Sequence, residues 1–216
     1  MYRQMRELIA EHCHRMWLLG WGAANDGNIS VKTGDGILAT GTGISKYDMT
    51  ADDIGLTDGC GNILWKPRED WRPSSEIKLH LMCYAEREDA GAVVHAHPPF
   101  STAFACAHRT IDTGIMIESV LELGEVPTAP YAPPSTDSLP DSVRPFIREH
   151  NAVLLANHGA LTAGSDLKAA FFRMETLEHT AKTAVYAGLI GGAVPLPDEE
   201  YSRLIRMRAG YGLDRR

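Results

Sequence analysis

The chain has 216 residues, 44% of them hydrophobic and 23% charged, which is the composition of a globular protein with enough mass for one substantial core. Its formal net charge of -7 argues against a general affinity for nucleic acid, because binding to the phosphate backbone depends on clustered Lys and Arg. No stretch reaches the roughly 18 consecutive apolar residues of a membrane span, and the first residues lack the apolar run of a secretory signal, so we expect a cytoplasmic protein.

The cysteines are spaced too widely to form a structural framework. Cys13, Cys60, Cys83 and Cys106 include no Cys-x-x-Cys pair, so they resemble neither a disulfide scaffold nor a zinc knuckle, and we interpret them as free thiols in the interior. No internal repeat, low-complexity segment or Pro/Gly/Ser-rich linker divides the chain. We therefore predict a single domain over residues 1–216.

The first part of the chain predicts one helix followed by a meander. Apolar residues from Met5 to Trp17 recur at helical spacing and Gly20 is a suitable terminator, which predicts an amphipathic helix over residues 3–19. After it, short runs separated by Gly- and Asp-rich turns are typical of antiparallel strands. The predicted strands are residues 28–32, 36–40, 53–57 and 62–65.

Helices and strands then alternate along the chain. Ser74, Ser75 and Glu76 follow Pro73 with N-cap chemistry, which predicts a helix over residues 75–87. The remaining predicted elements are strands 92–95, 126–131 and 152–156 and helices 135–149 and 166–187, the last with Ser165 as its cap and Gly188 as its stop. This order predicts the α/β class, with three layers α/β/α and a central, largely antiparallel sheet.

Three histidines stand at the predicted ends of buried strands. Side chains two apart on a strand point to the same side, so His95 and His97 can present ring nitrogens to one metal ion, and Pro98 ends their strand. Spacing alone leaves this open, since a His-x-His pair in an arbitrary protein is often incidental. His158 follows the next buried strand, where it is either a third ligand or a strand cap. Convergence on one ion explains both polar strand ends more simply.

Glu76, at a predicted helix start, is the fourth candidate ligand, although ordinary helix capping also explains a glutamate there. The hydroxyls of Ser74 and Ser75, with the unpaired N–H groups of the first helical turn, form a small anion site suited to a phosphate. Loops 25–30 and 40–45 have the composition for the same role, but neither matches a nucleotide-binding fingerprint. The pattern predicts a phosphorylated substrate that chelates the metal.

Five short motifs follow one another along the chain. They are Gly-Asn-Ile-Ser at 27–30, Thr-Gly at 42–43, Pro-Ser-Ser-Glu at 73–76, His-Ala-His at 95–97 and Asn-His-Gly at 157–159. In order and spacing they resemble the class II aldolase and adducin family, and within it the fuculose phosphate aldolase type. The resemblance covers nearly the whole chain.

The resemblance implies a zinc ion held by His95, His97 and His158, with Glu76 as a further ligand at rest and as the general base when substrate displaces it. It places the substrate phosphate at Asn28, Thr42, Gly43, Ser74 and Ser75. The implied reaction is reversible cleavage of a ketose 1-phosphate to dihydroxyacetone phosphate and a small aldehyde, in which zinc stabilises an enediolate as a Lewis acid. The implied assembly is a homotetramer with the active site at the subunit interface.

Three positions depart from the pattern of fuculose phosphate aldolases, and all affect the substrate pocket. Met116 stands where those enzymes place a tyrosine of the neighbouring subunit near the aldehyde oxygen. Pro134 replaces an aromatic residue, and Asn25 replaces a threonine of the phosphate loop. Tyr211 matches a C-terminal tyrosine of the family and is the candidate proton donor, although packing explains it equally well.

Three alternatives remain within the same family. An L-ribulose 5-phosphate 4-epimerase would use the same zinc site but is expected to carry an aspartate in place of Glu76. A 3-oxo-tetronate 4-phosphate decarboxylase is expected to carry a lysine in place of Ser75. A non-catalytic assembly module like the adducin head need not retain the metal ligands, whereas all four are present here.

Overall fold

The computed structural model of the chain describes residues 1–211, the last of these by its backbone alone. Its helices are α1 (Arg3–Leu18), α2 (Ile77–Glu86), α3 (Pro99–Cys106), α4 (Ile117–Glu122), α5 (Ser138–Ile147), α6 (Leu167–Leu189) and α7 (Asp198–Arg208). Its strands are β1 (Asn28–Thr33), β2 (Gly36–Thr40), β3 (Ile54–Thr57), β4 (Ile63–Trp65), β5 (Ala92–Ala96), β6 (Thr128–Ala129), β7 (Ala152–Leu155) and β8 (Gly159–Gly164). Within residues 1–211, no helix has the length and apolar character to cross a membrane.

All eight strands join one sheet, in the order β4-β3-β2-β1-β5-β8-β7-β6. Neighbouring strands run antiparallel, except that β6 and β7 are parallel. The predicted α/β class with a largely antiparallel central sheet is therefore confirmed. Strands β1, β5 and β8 occupy the middle of the sheet, where they are protected on both edges.

The sheet divides the hydrophobic core into two layers, because successive side chains of a strand point to opposite faces. On one face, Val94 and Leu154 pack in a cluster with the apolar sides of α1, α3 and α6. On the other face, Val93 and Val153 pack with α2 and α5. The alternation explains why the central strands read as continuous apolar runs, and it produces the predicted α/β/α arrangement.

Several predicted elements end differently in the structure. The predicted helix 75–87 begins later, at Ile77, and the predicted strand 126–131 contracts to two residues. Asp166, and not Ser165, caps α6, because its carboxylate accepts the Ala169 N–H at 2.7 Å. The helix also continues through Gly188, the predicted stop, and ends one residue later.

Two of the four cysteines are not in the interior, which corrects the expectation from the sequence. Cys13 and Cys83 are buried, and burial raises the pKa of each thiol to about 12. Cys60, in the turn between β3 and β4, and Cys106, at the end of α3, are exposed. All four are free thiols, as predicted.

Candidate active site

The candidate site lies in the middle of the sheet, where β5 ends and β1 begins. Asn28, the first residue of β1, pairs with His95 on β5, and His95 pairs on its other side with Leu161 on β8. His97 follows β5 directly, and His158 lies in the turn that precedes β8. The antiparallel order thus brings together the strand end and the turn that the sequence singled out.

The three histidine rings face one another. One ligating nitrogen from each of His95, His97 and His158 lies within 4.8 Å of the others, and the Nε2 atoms of His95 and His97 are 3.1 Å apart. His95 is fully buried, and its Nδ1–H donates to the Ala160 carbonyl oxygen at 2.9 Å. That hydrogen bond fixes the tautomer and leaves the His95 Nε2 lone pair directed at the cluster, the usual arrangement of a metal-binding histidine.

Glu76 completes the cluster from the N-terminus of α2. Its Oε2 lies 3.2 Å from His95 Nε2 and its Oε1 lies 3.2 Å from His158 Nε2, while the Asn28 amide donates to Oε2 at 3.0 Å. Burial alone raises the pKa of the Glu76 carboxyl, but the adjacent His95 and His158 rings lower it by more. The net pKa lies well below the ordinary value, so the side chain is a carboxylate at neutral pH.

Backbone hydrogen bonds tie the segment that carries Glu76 to the end of β2. The Ser74 N–H donates to the Thr40 carbonyl at 3.0 Å, and the Thr42 N–H donates to the Arg72 carbonyl at 3.1 Å. The Glu76 N–H donates to Ser74 Oγ at 3.3 Å, which leaves the Ser74 hydroxyl hydrogen free to point elsewhere. Two motifs that are distant in sequence therefore form one wall of the site.

Gly159 explains why a glycine follows His158. A Cβ at this position would lie 2.5 Å from the Ala96 carbonyl oxygen and 2.6 Å from His97 Cδ2, both too close for a side chain. Only glycine lets the start of β8 approach the end of β5 so closely. Without that approach, His158 would be held away from the other two rings.

A cavity of about 170 Å³ opens beside the cluster. The predicted phosphate-binding residues that line it are Asn28, Thr42, Gly43, Ser74 and Ser75. Two positions that depart from the aldolase pattern, Asn25 and Pro134, also line it. The structure thus places the predicted metal and phosphate residues around one small polar space.

The structure places only one of the two residues singled out for the aldehyde half. Met116 lines a separate cleft of about 710 Å³ together with Trp21, Phe100 and His179. It does not line the cavity beside the histidines, so on this chain it cannot act at that cavity. The side chain of Tyr211 lies outside the described residues.

Two charged residues of the site were missed by the sequence analysis. Asp26 Oδ2 lies 3.4 Å from His97 Nδ1, on the side of the ring that faces away from the cluster. Lys46 lines the cavity and is 3% exposed. Asp26 lies within one Gly-rich loop and Lys46 directly follows the other. A charged residue among small polar ones was the feature of the sequence that could have indicated them.

The donor set fits a divalent cation. Burial and the neighbouring His95 and His158 rings lower the pKa of His97 to about 4, so its ring is neutral at pH 7 and offers a lone pair. Oε1 of Glu76 is buried with no hydrogen-bond partner among the described residues. Three imidazoles and a carboxylate around one point are the ligand types that zinc and similar ions prefer.

Comparison with known proteins identifies the family. The Class II Aldolase and Adducin N-terminal domain family matches residues 7–185 of the chain. The chain belongs to the class II aldolase and adducin family. A 5-methylthioribulose-1-phosphate/5-deoxyribulose-1-phosphate aldolase of Rhodospirillum rubrum is 32% identical over 209 residues, which cover 96% of this chain and 92% of that protein. An L-fuculose phosphate aldolase of Escherichia coli K12 is 33% identical over 206 residues, covering 95% and 94%.

The fold of this family member agrees with its sequence relationship. The solved structure of an L-fuculose 1-phosphate aldolase superposes with a TM-score of 0.86 at 28% identity and covers 98% of both chains. The family and the aldolase class of enzyme predicted from the motifs are confirmed by these relationships. The family generally uses a divalent metal, and the histidine cluster is suited to hold one.

Proposed function

We propose that this chain is a zinc-dependent aldolase that reversibly cleaves a ketose 1-phosphate, of the L-fuculose 1-phosphate kind, to dihydroxyacetone phosphate and a small aldehyde. The convergence of His95, His97, His158 and Glu76 beside a cavity of small polar groups carries the proposal. The names of the two relatives, which are aldolases of different ketose 1-phosphates, support the same reaction class. We also propose that the chain forms one domain of this type.

The metal would be held by the ring nitrogens of His95, His97 and His158, with the Glu76 carboxylate as a further ligand before substrate binds. When bound, the cation supplies Lewis-acid stabilisation for negative charge on the substrate carbonyl oxygen. Zinc is the expected ion because it binds imidazole and carboxylate ligands in this number. The Asp26 carboxylate beside His97 Nδ1 orients that ring for the purpose.

Glu76 is the proposed general base. In the condensation direction its carboxylate takes a proton from the hydroxymethyl carbon of dihydroxyacetone phosphate, and in the cleavage direction the acid form returns it. Asn28 holds Oε2 by a hydrogen bond of 3.0 Å, which limits the positions that the carboxylate can adopt. A base whose orientation is fixed in advance loses less entropy when it reaches the transition state.

The phosphate is proposed to bind in the cavity between the end of β2 and the start of α2. Thr42, Gly43, Ser74 and Ser75 contribute hydroxyl and backbone N–H groups there, with Asn28 at the boundary to the metal site. The positive end of the helix macrodipole favours an anion at the start of α2, where the N–H groups of Glu76 and Ile77 themselves donate to Ser74. Anchoring the phosphate there fixes the distance between the reacting carbons and Glu76.

We further propose a cytoplasmic homotetramer with the active site at the subunit interface. Large apolar side chains on and after the end of α1, namely Trp17, Leu18 and Leu19, are 40%, 71% and 48% exposed, and Ile117 on α4 is 50% exposed. Exposed apolar patches of this kind are typical of surfaces that bind another protein chain. Light scattering of the purified protein measures the assembly directly.

Tyr211 stays the candidate proton donor to the aldehyde.

A coupled screen tests the proposed reaction. The zinc-loaded protein is assayed for release of dihydroxyacetone phosphate from fuculose, rhamnulose and 5-deoxyribulose 1-phosphates. Ribulose 5-phosphate and a 3-oxo-tetronate 4-phosphate are run beside them for epimerisation and decarboxylation. Dihydroxyacetone phosphate release from at least one ketose 1-phosphate is the expected result. Turnover of only the last two substrates would replace the aldolase proposal with one of the alternatives.

A further inference from the structure

Lys46 occupies an unusual place for a lysine. Its side chain is 3% exposed and lines the cavity beside the histidine cluster. Its Nζ donates to the carbonyl oxygens of Asn25 and Ile44, each at 3.0 Å. A lysine ammonium has three N–H donors. Two of them are used by acceptors in the described part of the chain, so one is available for a bound ligand.

The charge of Lys46 is not neutralised within the described part of the chain. No carboxylate of residues 1–211 lies within ion-pair distance of its Nζ. Burial lowers the pKa of this ammonium, and the more distant Asp26 carboxylate only partly opposes that effect. Burying a cation without an anion is costly, so the position calls for an anionic partner.

The rest of the cavity supplies hydrogen-bond donors but no permanent positive charge. Thr42, Ser74 and Ser75 are neutral, and Gly43 offers only its backbone. Among the described side chains that line the cavity, Lys46 is the one lysine or arginine. A substrate phosphate carries close to two negative charges at pH 7, which neutral donors alone bind less strongly than a charge-assisted contact does.

We propose that Lys46 is a specificity-determining residue that supplies the positive charge of the phosphate pocket and, through its two carbonyl contacts, holds the loops around Asn25 and Thr42 at the spacing the phosphate needs. The inference rests on the proposed function for the identity of the anion. The five motifs of the family resemblance contain no lysine or arginine.

Direct binding of inorganic phosphate and of glycerol 1-phosphate to the zinc-loaded protein tests the inference by isothermal titration calorimetry. Lys46→Gln keeps a hydrogen-bond donor and removes the charge, whereas Lys46→Arg keeps the charge. Lys32→Gln, an exposed lysine on β1, is the matched control. The dissociation constant is expected to rise about ten- to a hundredfold in Lys46→Gln, the range for loss of a charged hydrogen bond. Lys46→Arg should recover part of it, and Lys32→Gln should match the unmodified protein.

Equal phosphate affinity in the unmodified protein and in folded, zinc-loaded Lys46→Gln overturns the inference, because a purely structural lysine would give that result. Absence of phosphate binding by the unmodified protein overturns it as well. If phosphate binding depends on Lys46 while no ketose 1-phosphate is cleaved, the inference stands and the proposed function fails. The two failures are therefore distinguishable.

A second measurement needs no folded variant. In protein with carbon-13-labelled lysine, the Lys46 resonance is recognised by its lowered titration midpoint. Saturating phosphate should raise that midpoint, since a nearby anion favours the charged form. A midpoint that phosphate leaves unchanged contradicts the proposal even if every Lys46 variant fails to fold.

Discussion

Replacing Glu76 with glutamine keeps the shape of the side chain and removes both its charge and its ability to take a proton. In the structure, each carboxylate oxygen lies 3.2 Å from a histidine Nε2. An amide offers one acceptor oxygen only, so one of these contacts then meets an NH₂ group. The three histidines stay in place, and we expect the variant to bind zinc at saturating concentration.

The expected loss in turnover is that of a general base, about a hundred- to ten-thousandfold in kcat. The most specific assay measures exchange of solvent deuterium into the hydroxymethyl carbon of dihydroxyacetone phosphate by proton NMR. No aldehyde is present, so the assay isolates the proton transfer from the later bond formation. Glu88→Gln changes an exposed carboxylate just beyond the other end of α2 and should behave as the unmodified protein.

One result would contradict the assignment of Glu76 as the general base. Exchange in zinc-loaded Glu76→Gln within about threefold of the unmodified rate would falsify the assignment of this residue as base, since removal of a base costs far more. Loss of zinc from the variant, measured in the same samples, would show that Glu76 acts mainly as a ligand.

Three further predictions follow from the geometry of the site. Gly159→Ala places a Cβ 2.6 Å from His97 Cδ2, so we expect about 1–3 kcal/mol lower stability in denaturant unfolding and weaker zinc binding; unchanged values contradict the packing argument. Burial lowers the pKa of His80 from 6.5 to about 3, so its contribution to stability is present above pH 6.5 and is lost as the pH falls towards 3. The free energy of unfolding of metal-free protein should change by about 1.4 kcal/mol per pH unit in that range, and His80→Gln should remove this dependence. Asp26→Asn should weaken zinc binding about tenfold in a chelator competition, and an unchanged affinity would show that the 3.4 Å contact does not orient His97.

The fold was predictable where the pattern of apolar residues was strong. The helical spacing of apolar residues in α1 and α6, and the apolar run of β5, predicted these elements nearly to the residue. Strand β8 was missed because glycines at both ends and alanines between them carry little strand signal, although β8 lies in the middle of the sheet. Its neighbours β5 and β7 supply the packing that its own sequence does not indicate.

Short helices were missed for a related reason. Helix α3 begins at Pro99, directly after Pro98, which was predicted only as the end of a strand. Its first-turn N–H groups at Phe100 and Ser101 are capped by the distant Glu178. A cap that lies 77 residues away cannot be recognised from local sequence. Tertiary contacts, and not propensity, therefore determine where α3 begins.

The candidate site, like the fold, was predictable from the sequence only in part. The pairing of His95 with His97 was accessible from strand periodicity, and His158 from its place after a buried strand. The buried ammonium of Lys46 was not, because nothing in a Gly-rich loop indicates that its lysine turns inward onto two carbonyl groups. Burial of long charged side chains is decided by the loops that pack over them.

The central claim is that one divalent cation, held by Glu76, His95, His97 and His158, is required for catalysis. The most direct measurement is the metal content of the purified protein, followed by activity before and after chelation and after zinc is added back. The account predicts one ion per chain, loss of turnover with its removal, and recovery with zinc. Full activity in protein shown to be free of metal would contradict it.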